Sequence, residues 1–181
     1  TVDFYINDDT AWLRKAVRWV VNIVVAIACG WFLVYGFGEQ VLISGNSMQP
    51  QLSAQDVVLM NRIIYVTGTP DRFDVVVFER EDGKKNVKRI IGLPGETVQI
   101  RDNRVYINGE PLKEDKMGEV SLAGRAADPV RLGEKEYFLL GDNRGSSEDS
   151  RFPNIGNVKR EQILGKAWFR MLPLLNLGFV S

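Results

Sequence analysis

Residues 86–109 read NVKRIIGLPGETVQIRDNRVYING, and this stretch determines the fold class. It contains short runs rich in β-branched and aromatic residues, which favour strands. Turn sequences separate these runs: GLPGE at 92–96, DN at 102–103 and NG at 108–109. Turns of this composition between such runs are typical of β-hairpins. We therefore predict antiparallel strands joined by hairpins within VQIRDNRVYI and VYINGEPL.

The same pattern continues on both sides of that stretch. No segment beyond residue 39 has the periodicity of a long amphipathic helix. We predict a mainly β domain over 39–181, an antiparallel sheet that forms a sandwich or partly open barrel. Residues 112–136 are polar with few apolar positions, and we expect a surface loop or extension there. The other strand candidates are QVLIS at 40–44, DVVLM at 56–60, DVVVF at 74–78, YFLL at 137–140 and KAWF at 166–169.

A long apolar run precedes the β region. Residues 19–37, WVVNIVVAIACGWFLVYGF, contain no ionised side chain. As a helix this run would be about 28 Å long, close to the hydrocarbon thickness of a bilayer. Arg14, Lys15 and Arg18 precede it, and cations on that flank favour a cytoplasmic N-terminus. We predict a short cytoplasmic tail over 1–13, a single transmembrane anchor over 14–38 and an extracytoplasmic domain over 39–181.

Other interpretations of the apolar run fit the sequence less well. A helix buried in a soluble core is disfavoured, because no polar face interrupts the run. A cleaved secretory signal would have a shorter apolar region and a cleavage site between small residues. The sequence AIACG around Cys29 is faintly similar to a lipid-attachment site, but the apolar run continues eight residues beyond it. An uncleaved anchor therefore fits best.

Composition excludes several functional classes. Lys+Arg and Asp+Glu both total 23, so the chain has no basic excess, and we predict no nucleic-acid partner. A single cysteine permits no intrachain disulfide and no cysteine metal cluster. The sequence contains no histidine. That absence excludes a Ser-His-Asp triad, a Cys-His dyad and most catalytic zinc sites.

Without histidine, an activated serine needs another base, and a neutral lysine can serve. Most of the nine lysines lie in polar surroundings. Lys88 differs, because it falls inside a predicted strand beside apolar residues, with Arg89 pointing to the opposite face. Lys166, in LGKAWF, is the one other lysine in such a setting. Taken alone, a strand lysine is more often a surface residue whose stem packs on apolar neighbours.

Two polar stretches complete the set of candidates. SGNSMQP at 44–50 follows the apolar run, and GDNRGSSEDSR at 141–151 follows the predicted core strand YFLL. In isolation the first could be a linker and the second a solvated turn. A loop that leaves a core strand with many hydrogen-bonding groups is also how functional sites are built.

Together, and in this order behind an apolar anchor, these stretches resemble the boxes of bacterial type I signal peptidases, which are membrane-bound serine proteases with a Ser-Lys dyad. SGNSMQPQL resembles the nucleophile box, RFDVVVF at 72–78 the next strand, VKRIIGLPGE at 87–96 the lysine box, and 141–151 the last box. The resemblance implies that Ser47 is the nucleophile, Lys88 the general base and Ser147 a hydroxyl that hydrogen-bonds Lys88. It also implies structural ion pairs among Arg89, Asp142, Arg144, Asp149 and Arg151, with Arg89 a candidate partner of Asp142.

One position departs from part of the family. Gram-negative members have a serine two places before the nucleophile, where this chain has Gly45, as Gram-positive members do. The oxyanion would then depend on backbone N–H groups, notably that of Ser47, and a glycine would let backbone approach closely.

The resemblance implies removal of signal peptides from secreted preproteins, with cleavage after small residues and no metal or organic cofactor. It implies preproteins, membrane lipid and the secretion translocon as partners, and a plasma-membrane location. Two alternatives stay open: a non-catalytic homologue that binds preproteins, and a self-cleaving Ser-Lys protease of the LexA type. The first should have lost Ser47 or Lys88, and the second would have a DNA-binding module in place of residues 1–38.

Overall fold

The computed structural model describes residues 11–113, 115 and 117–180, without the side chains of 11, 32–37 and 67. Most of the predicted cytoplasmic tail, residues 1–10, therefore lies outside the described residues. The chain divides into two compact units, and the second begins at Glu39.

Helix α1 spans Ala11–Phe37 and makes up the described part of the first unit. Its described apolar side chains are largely exposed, including those of Trp19, Ile27 and Trp31. Over the residues whose side chains are described, no helix is both long enough and apolar enough to cross a membrane.

The second unit is built from short strands. Their bounds are β1 Gly38–Leu42, β2 Val57–Asn61, β3 Val75–Glu79, β4 Lys85–Gly92, β5 Thr97–Arg101, β6 Arg104–Ile107, β7 Glu110–Pro111, β8 Val130–Arg131, β9 Glu136–Leu140, β10 Val158–Lys159, β11 Ile163–Leu172 and β12 Gly178–Phe179. One short helix, α2, spans Ile64–Thr67, and 3₁₀ turns lie at Gly124–Ala127, Arg160–Gln162 and Leu174–Asn176.

The strands form two sheets in the part of the chain that the structure describes. The larger has eight strands in the order β1-β2-β11-β3-β4-β9-β10, with β12 beside β11. The pairings of β11 with β2 and β3, of β3 with β4, and of β4 with β9 are antiparallel. The prediction of a mainly antiparallel β domain is confirmed.

The smaller sheet, in the order β7-β6-β5-β8, contains both predicted hairpins. Val98 pairs with Ile107 and Ile100 with Val105 across β5 and β6. Asp102 and Asn103, at the turn, have φ of 49° and 58°, a left-handed backbone that these two residue types tolerate. Local turn chemistry therefore fixes this register.

Residues 112–136 differ from the predicted surface loop. Val120, Ala126, Val130 and Leu132 are buried in the apolar core under the small sheet, and β8 pairs with β5. The prediction missed this packing because the buried apolar residues are few and are separated by polar ones, so no periodic pattern extends over the segment.

Strand β4 lies where the apolar clusters meet. Val87, Ile90 and Ile91 each belong to a different cluster of buried residues. The strand is therefore enclosed on both faces from Val87 onward, and any polar side chain between these residues is removed from water. Lys88 and Arg89 occupy those positions.

Candidate active site

The side chains of Ser47 and Lys88 meet although 41 residues separate them. Lys88 Nζ donates a hydrogen bond of 2.5 Å to Ser47 Oγ. Lys88 is only 4% exposed. A serine hydroxyl and a lysine amine in hydrogen-bond contact can exchange a proton.

The backbone around Ser47 is held from both sides. Before it, Ile43 donates its N–H to the carbonyl of Asp56. After it, Met48 is buried in the core, and its carbonyl accepts a hydrogen bond from Leu52. Met48 therefore anchors the segment and leaves the neighbouring Ser47 hydroxyl facing Lys88.

Burial lowers the pKa of Lys88 from 10.5 to about 8. Loss of hydration disfavours the ammonium form, and this is the largest effect. Asp149, Glu148 and Asp142 oppose it by attracting the ammonium charge. A substantial fraction of Lys88 is therefore neutral near pH 8, as a general base must be.

A buried ion pair connects β4 to the loop 141–151. Arg89 Nε and Nη2 bond the two carboxylate oxygens of Asp142 at 2.7 and 2.8 Å. Arg89 Nη1 also donates to the carbonyl of Phe73. The pairing proposed from the sequence is present, and it fixes the start of the loop directly beside Lys88.

A second buried pair lies inside the loop. Asp149 accepts from Arg151 Nε and Nη2 and from the backbone N–H of Gly141. The remaining Arg151 donors reach the carbonyls of Leu122, Arg144 and Ser147. Every N–H of this guanidinium therefore donates a hydrogen bond, and these bonds hold the loop 141–151 in its closed conformation.

Asn143 joins the loop to the nucleophile segment. Its backbone N–H donates to the carbonyl of Ser47 at 3.0 Å, and its side chain donates to the carbonyl of Asn46. Sequence reasoning did not single out Asn143, because it considered the charged and hydroxyl residues of the loop. The sequence feature that could have indicated Asn143 is its polar side chain within the loop 141–151.

Ser147 lies in the site but does not make the expected hydrogen bond to Lys88. Its buried Oγ has no hydrogen-bond partner among the described residues. It packs against Gly141, where an added Cβ would lie 2.1 Å from Ser147 Oγ and 2.5 Å from the carbonyl oxygen of Ser47. The Ser147 hydroxyl can occupy this position because Gly141 has no side chain. Like Asn143, Gly141 was not identified as a site residue from the sequence.

A cavity of about 290 Å³ opens beside Ser47 and Lys88. It is lined by residues 40–45, 47 and 48 on one side and by 85–88 on the other. Gly45 is exposed on this lining, and a Cβ there would meet no heavy atom within 4 Å. No other segment of the described chain therefore packs closely against Gly45, although a glycine would allow this.

Lys166, the other strand lysine, lies in a different environment. Its Nζ donates to Asp74 Oδ1 at 2.5 Å, and Asp74 also accepts from the hydroxyl of Tyr65. The Lys166 side chain is 29% exposed. It is therefore part of an ion pair with Asp74. No cluster of acidic or cysteine side chains within the described residues could hold a metal ion.

The chain matches a family of known proteins over most of its length. The family model described as signal peptidase, peptidase S26, matches residues 16–172. The chain is 32% identical to the probable signal peptidase I-2 of Synechocystis sp. over 96% of this chain and 79% of that protein. It is 35% identical to signal peptidase I T of Bacillus subtilis, with 86% and 85% covered.

A crystal structure of a signal peptidase I from Enterococcus faecalis is also similar, with 35% identity and a TM-score of 0.47. It covers 55% of this chain and 97% of that one. The family match extends over most of the chain and contains both Ser47 and Lys88. This chain therefore belongs to the signal peptidase family, peptidase S26, and is a serine endopeptidase.

Proposed function

We propose that this chain removes signal peptides from secreted preproteins, with Ser47 as the nucleophile and neutral Lys88 as the general base. The observation that supports this most strongly is the 2.5 Å contact between Lys88 Nζ and Ser47 Oγ, made by a lysine that is 4% exposed. A buried amine beside a hydroxyl has no evident structural purpose, because an apolar residue would be less costly to bury there.

The reaction is an acyl transfer in two halves. Ser47 Oγ attacks the scissile carbonyl while its proton passes to Lys88 Nζ. The tetrahedral intermediate then collapses, its C–N bond breaks, and the ammonium of Lys88 returns the proton to the departing amine of the mature protein. In the second half, Lys88 takes a proton from a water molecule as the water oxygen attacks the acyl carbonyl. The bond from that carbon to Ser47 Oγ then breaks, Lys88 returns the proton to Oγ, and the signal peptide is released.

Backbone N–H groups would stabilise the oxyanion. The position two residues before Ser47 is Gly45, which has no hydroxyl to donate. We assign the main donor as the N–H of Ser47, because the carbonyl of the same peptide unit, that of Asn46, accepts a hydrogen bond from the Asn143 side chain. A donor that is fixed before the reaction stabilises developing charge without reorganisation.

Two open strand edges beside the dyad would bind the substrate. Ile43 directs both its N–H and its carbonyl towards residues 55 and 56. The backbone groups of Leu42 and Ser44 therefore point to the free edge, since neighbouring residues of a strand alternate. Across the cavity, β4 pairs with β9 only from Arg89 onward, so residues 85–88 are open on that side.

An extended preprotein segment can therefore bind between these edges as an added strand. The cavity is small and close to Ser47, which favours small side chains one and three residues before the cut. The preference for small side chains rests on this and on the family resemblance.

We also propose the cellular arrangement that the sequence indicates: a cytoplasmic tail over 1–13, one anchor over 14–38 and the catalytic domain over 39–181 outside the plasma membrane. The apolar run at 19–37 and the preceding cations support it. The translocon and membrane lipid would be the neighbours of such an enzyme. Protease added outside intact cells should digest residues 39–181. Protection of that domain would contradict the orientation.

Incubation of the purified protein with a preprotein tests the activity. The substrate should have alanine one and three residues before the expected cut, and mass spectrometry should identify both products. Ser47→Ala should give no cleavage, whereas Ser121→Ala, at an exposed serine of the 112–136 segment, should cleave normally.

The same assay separates the catalytic function from a non-catalytic one. A homologue that only binds preproteins would retain the substrate and leave it intact. Equal cleavage by wild type and Ser47→Ala would show that another group is the nucleophile.

A further inference from the structure

Asp115 lies far from the four boxes, yet it contacts the loop that closes the active site. We propose that Asp115 is a positioning residue for the reaction: through Arg144 it holds the loop 141–151 against the backbone of Ser47. The inference rests on the proposed function, and it gives the 112–136 segment a role in catalysis.

The contact is bidentate and largely buried. Arg144 Nη1 and Nη2 each lie 2.8 Å from a carboxylate oxygen of Asp115. The Arg144 side chain is 2% exposed. Planar guanidinium–carboxylate pairs of this kind fix orientation as well as charge.

Arg144 transmits this position to the loop backbone. Its Nε donates to the carbonyl of Gly141 at 3.0 Å, and its own carbonyl accepts from Arg151 Nη1 at 2.8 Å. Arg144 is thus bonded to the first residue of the loop and to the last. Asp115 is the carboxylate that holds its guanidinium in place.

Gly141 is packed closely between the backbone of Ser47 and the side chain of Ser147, so its position affects both residues. An added Cβ there would lie 2.5 Å from the carbonyl oxygen of Ser47 and 2.1 Å from Ser147 Oγ. The same Ser47 carbonyl accepts the N–H of Asn143. A small displacement of Gly141 would therefore move the nucleophile relative to Lys88.

Asp115 differs from the other two carboxylates that pair with buried arginines at the site. Asp142 and Asp149 belong to the loop itself, whereas Asp115 comes from the segment that extends the small sheet. That segment is attached at both ends: Leu112 donates to the carbonyl of Val105, and Val120 donates to the carbonyl of Asn103. The small sheet thus acts as a support for the catalytic loop.

The test compares Asp115→Asn with Asp128→Asn, a matched change at an exposed acid of the same segment. We expect Asp115→Asn to lower kcat roughly 10- to 100-fold with little change in KM, since small misplacements of reacting groups have effects of this size. Asp128→Asn should behave as wild type. Asp115→Glu keeps the charge and should recover part of the lost kcat.

A pH profile distinguishes positioning from a purely structural role. Asp149, Glu148, Asp142 and Arg151 are charged groups that act on the pKa of Lys88. A loosened loop admits water to Lys88, so the midpoint of kcat/KM against pH should move upward in Asp115→Asn. A change in thermal stability alone, with kcat and the midpoint unchanged, would overturn the proposal.

A double variant covers the case in which Asp115→Asn fails to fold, because it leaves a buried arginine without a counter-charge. Asp115→Asn/Arg144→Gln removes both charges and should fold while kcat stays low. Wild-type kcat in that variant would refute the positioning role. If the wild-type enzyme itself does not cleave the preprotein, the proposed function fails instead, and the two failures are distinguishable.

Discussion

The two strand lysines, Lys88 and Lys166, show how environment decides chemistry. Both lie opposite Val76 in the large sheet, Lys88 on β4 and Lys166 on β11. Lys88 is 4% exposed and contacts a hydroxyl, whereas the side chain of Lys166 is 29% exposed and contacts the carboxylate of Asp74. A carboxylate in contact stabilises an ammonium, and burial without one favours the neutral amine.

The largest expected effect separates the two lysines by activity. Lys88→Arg should lower kcat/KM by roughly 10³-fold or more, because a guanidinium stays protonated and general-base catalysis is lost. Lys166→Arg should stay active, since an arginine can still pair with Asp74. Steady-state cleavage of a preprotein measures both. An active Lys88→Arg enzyme would show that another group accepts the proton of Ser47.

The next effect concerns the buried hydroxyl of Ser147. Ser147→Ala should lower kcat on the order of 10²-fold if Ser147 orients Lys88 during the reaction. In the free enzyme its Oγ is buried without a partner among the described residues, so it is available for such a contact. The exposed Ser146 is the matched control, and Ser146→Ala should be unaffected. Wild-type kcat in Ser147→Ala would remove Ser147 from the mechanism.

Replacing each lysine by methionine should change the free energy of unfolding in opposite directions. The folded pKa of Lys88 lies below its unfolded value, so the unfolded state binds the proton more strongly, and Lys88 destabilises the fold most below pH 8. Lys88→Met should therefore stabilise the protein at pH 7, by up to about 3 kcal/mol, an effect that fades as pH rises towards 10.5.

Lys166→Met should instead destabilise the protein by about 1–3 kcal/mol, because it leaves the carboxylate of Asp74 without its cation. Urea unfolding at pH 7 and pH 10 measures both changes. A Lys88→Met variant less stable than wild type at pH 7 would mean that packing around the amine, not its charge, dominates there.

The smallest expected effect tests the acids that act on Lys88 from a distance. Glu148 raises the pKa of Lys88, so Glu148→Gln should lower the midpoint of the kcat/KM profile slightly. Below that midpoint, activity should rise by less than about threefold. Glu134→Gln, at an exposed glutamate outside the site, should leave the profile unchanged. An upward shift in Glu148→Gln would contradict the electrostatic account.

Local features of the sequence predicted much of this structure. The turn at Asp102 and Asn103 could be predicted because both residues tolerate a left-handed backbone. The strand of Lys88 could be predicted because its apolar neighbours are adjacent in sequence. The contact between Ser47 and Lys88 was predicted from the resemblance to the family boxes, because no local sequence pattern indicates it.

Contacts across long sequence separations could not be predicted in this way. Asp115 meets Arg144 across 29 residues, and the side chain of Asn143 reaches Asn46 across 97. The sequence around Asp115 and Asn143 contains no pattern that indicates which residue each of them contacts. The unpaired hydroxyl of Ser147 also depends on the exact packing around Gly141, which sequence does not reveal.

The central claim is that burial keeps Lys88 neutral enough to act as the base. The most direct measurement is kcat/KM for preprotein cleavage against pH in the wild-type enzyme, with Lys166→Arg as the control. We predict that kcat/KM rises with pH through a midpoint near 8 and that the control has the same midpoint. A midpoint near 10.5, the ordinary value for lysine, or a profile that does not change between pH 6 and pH 10, would contradict the account.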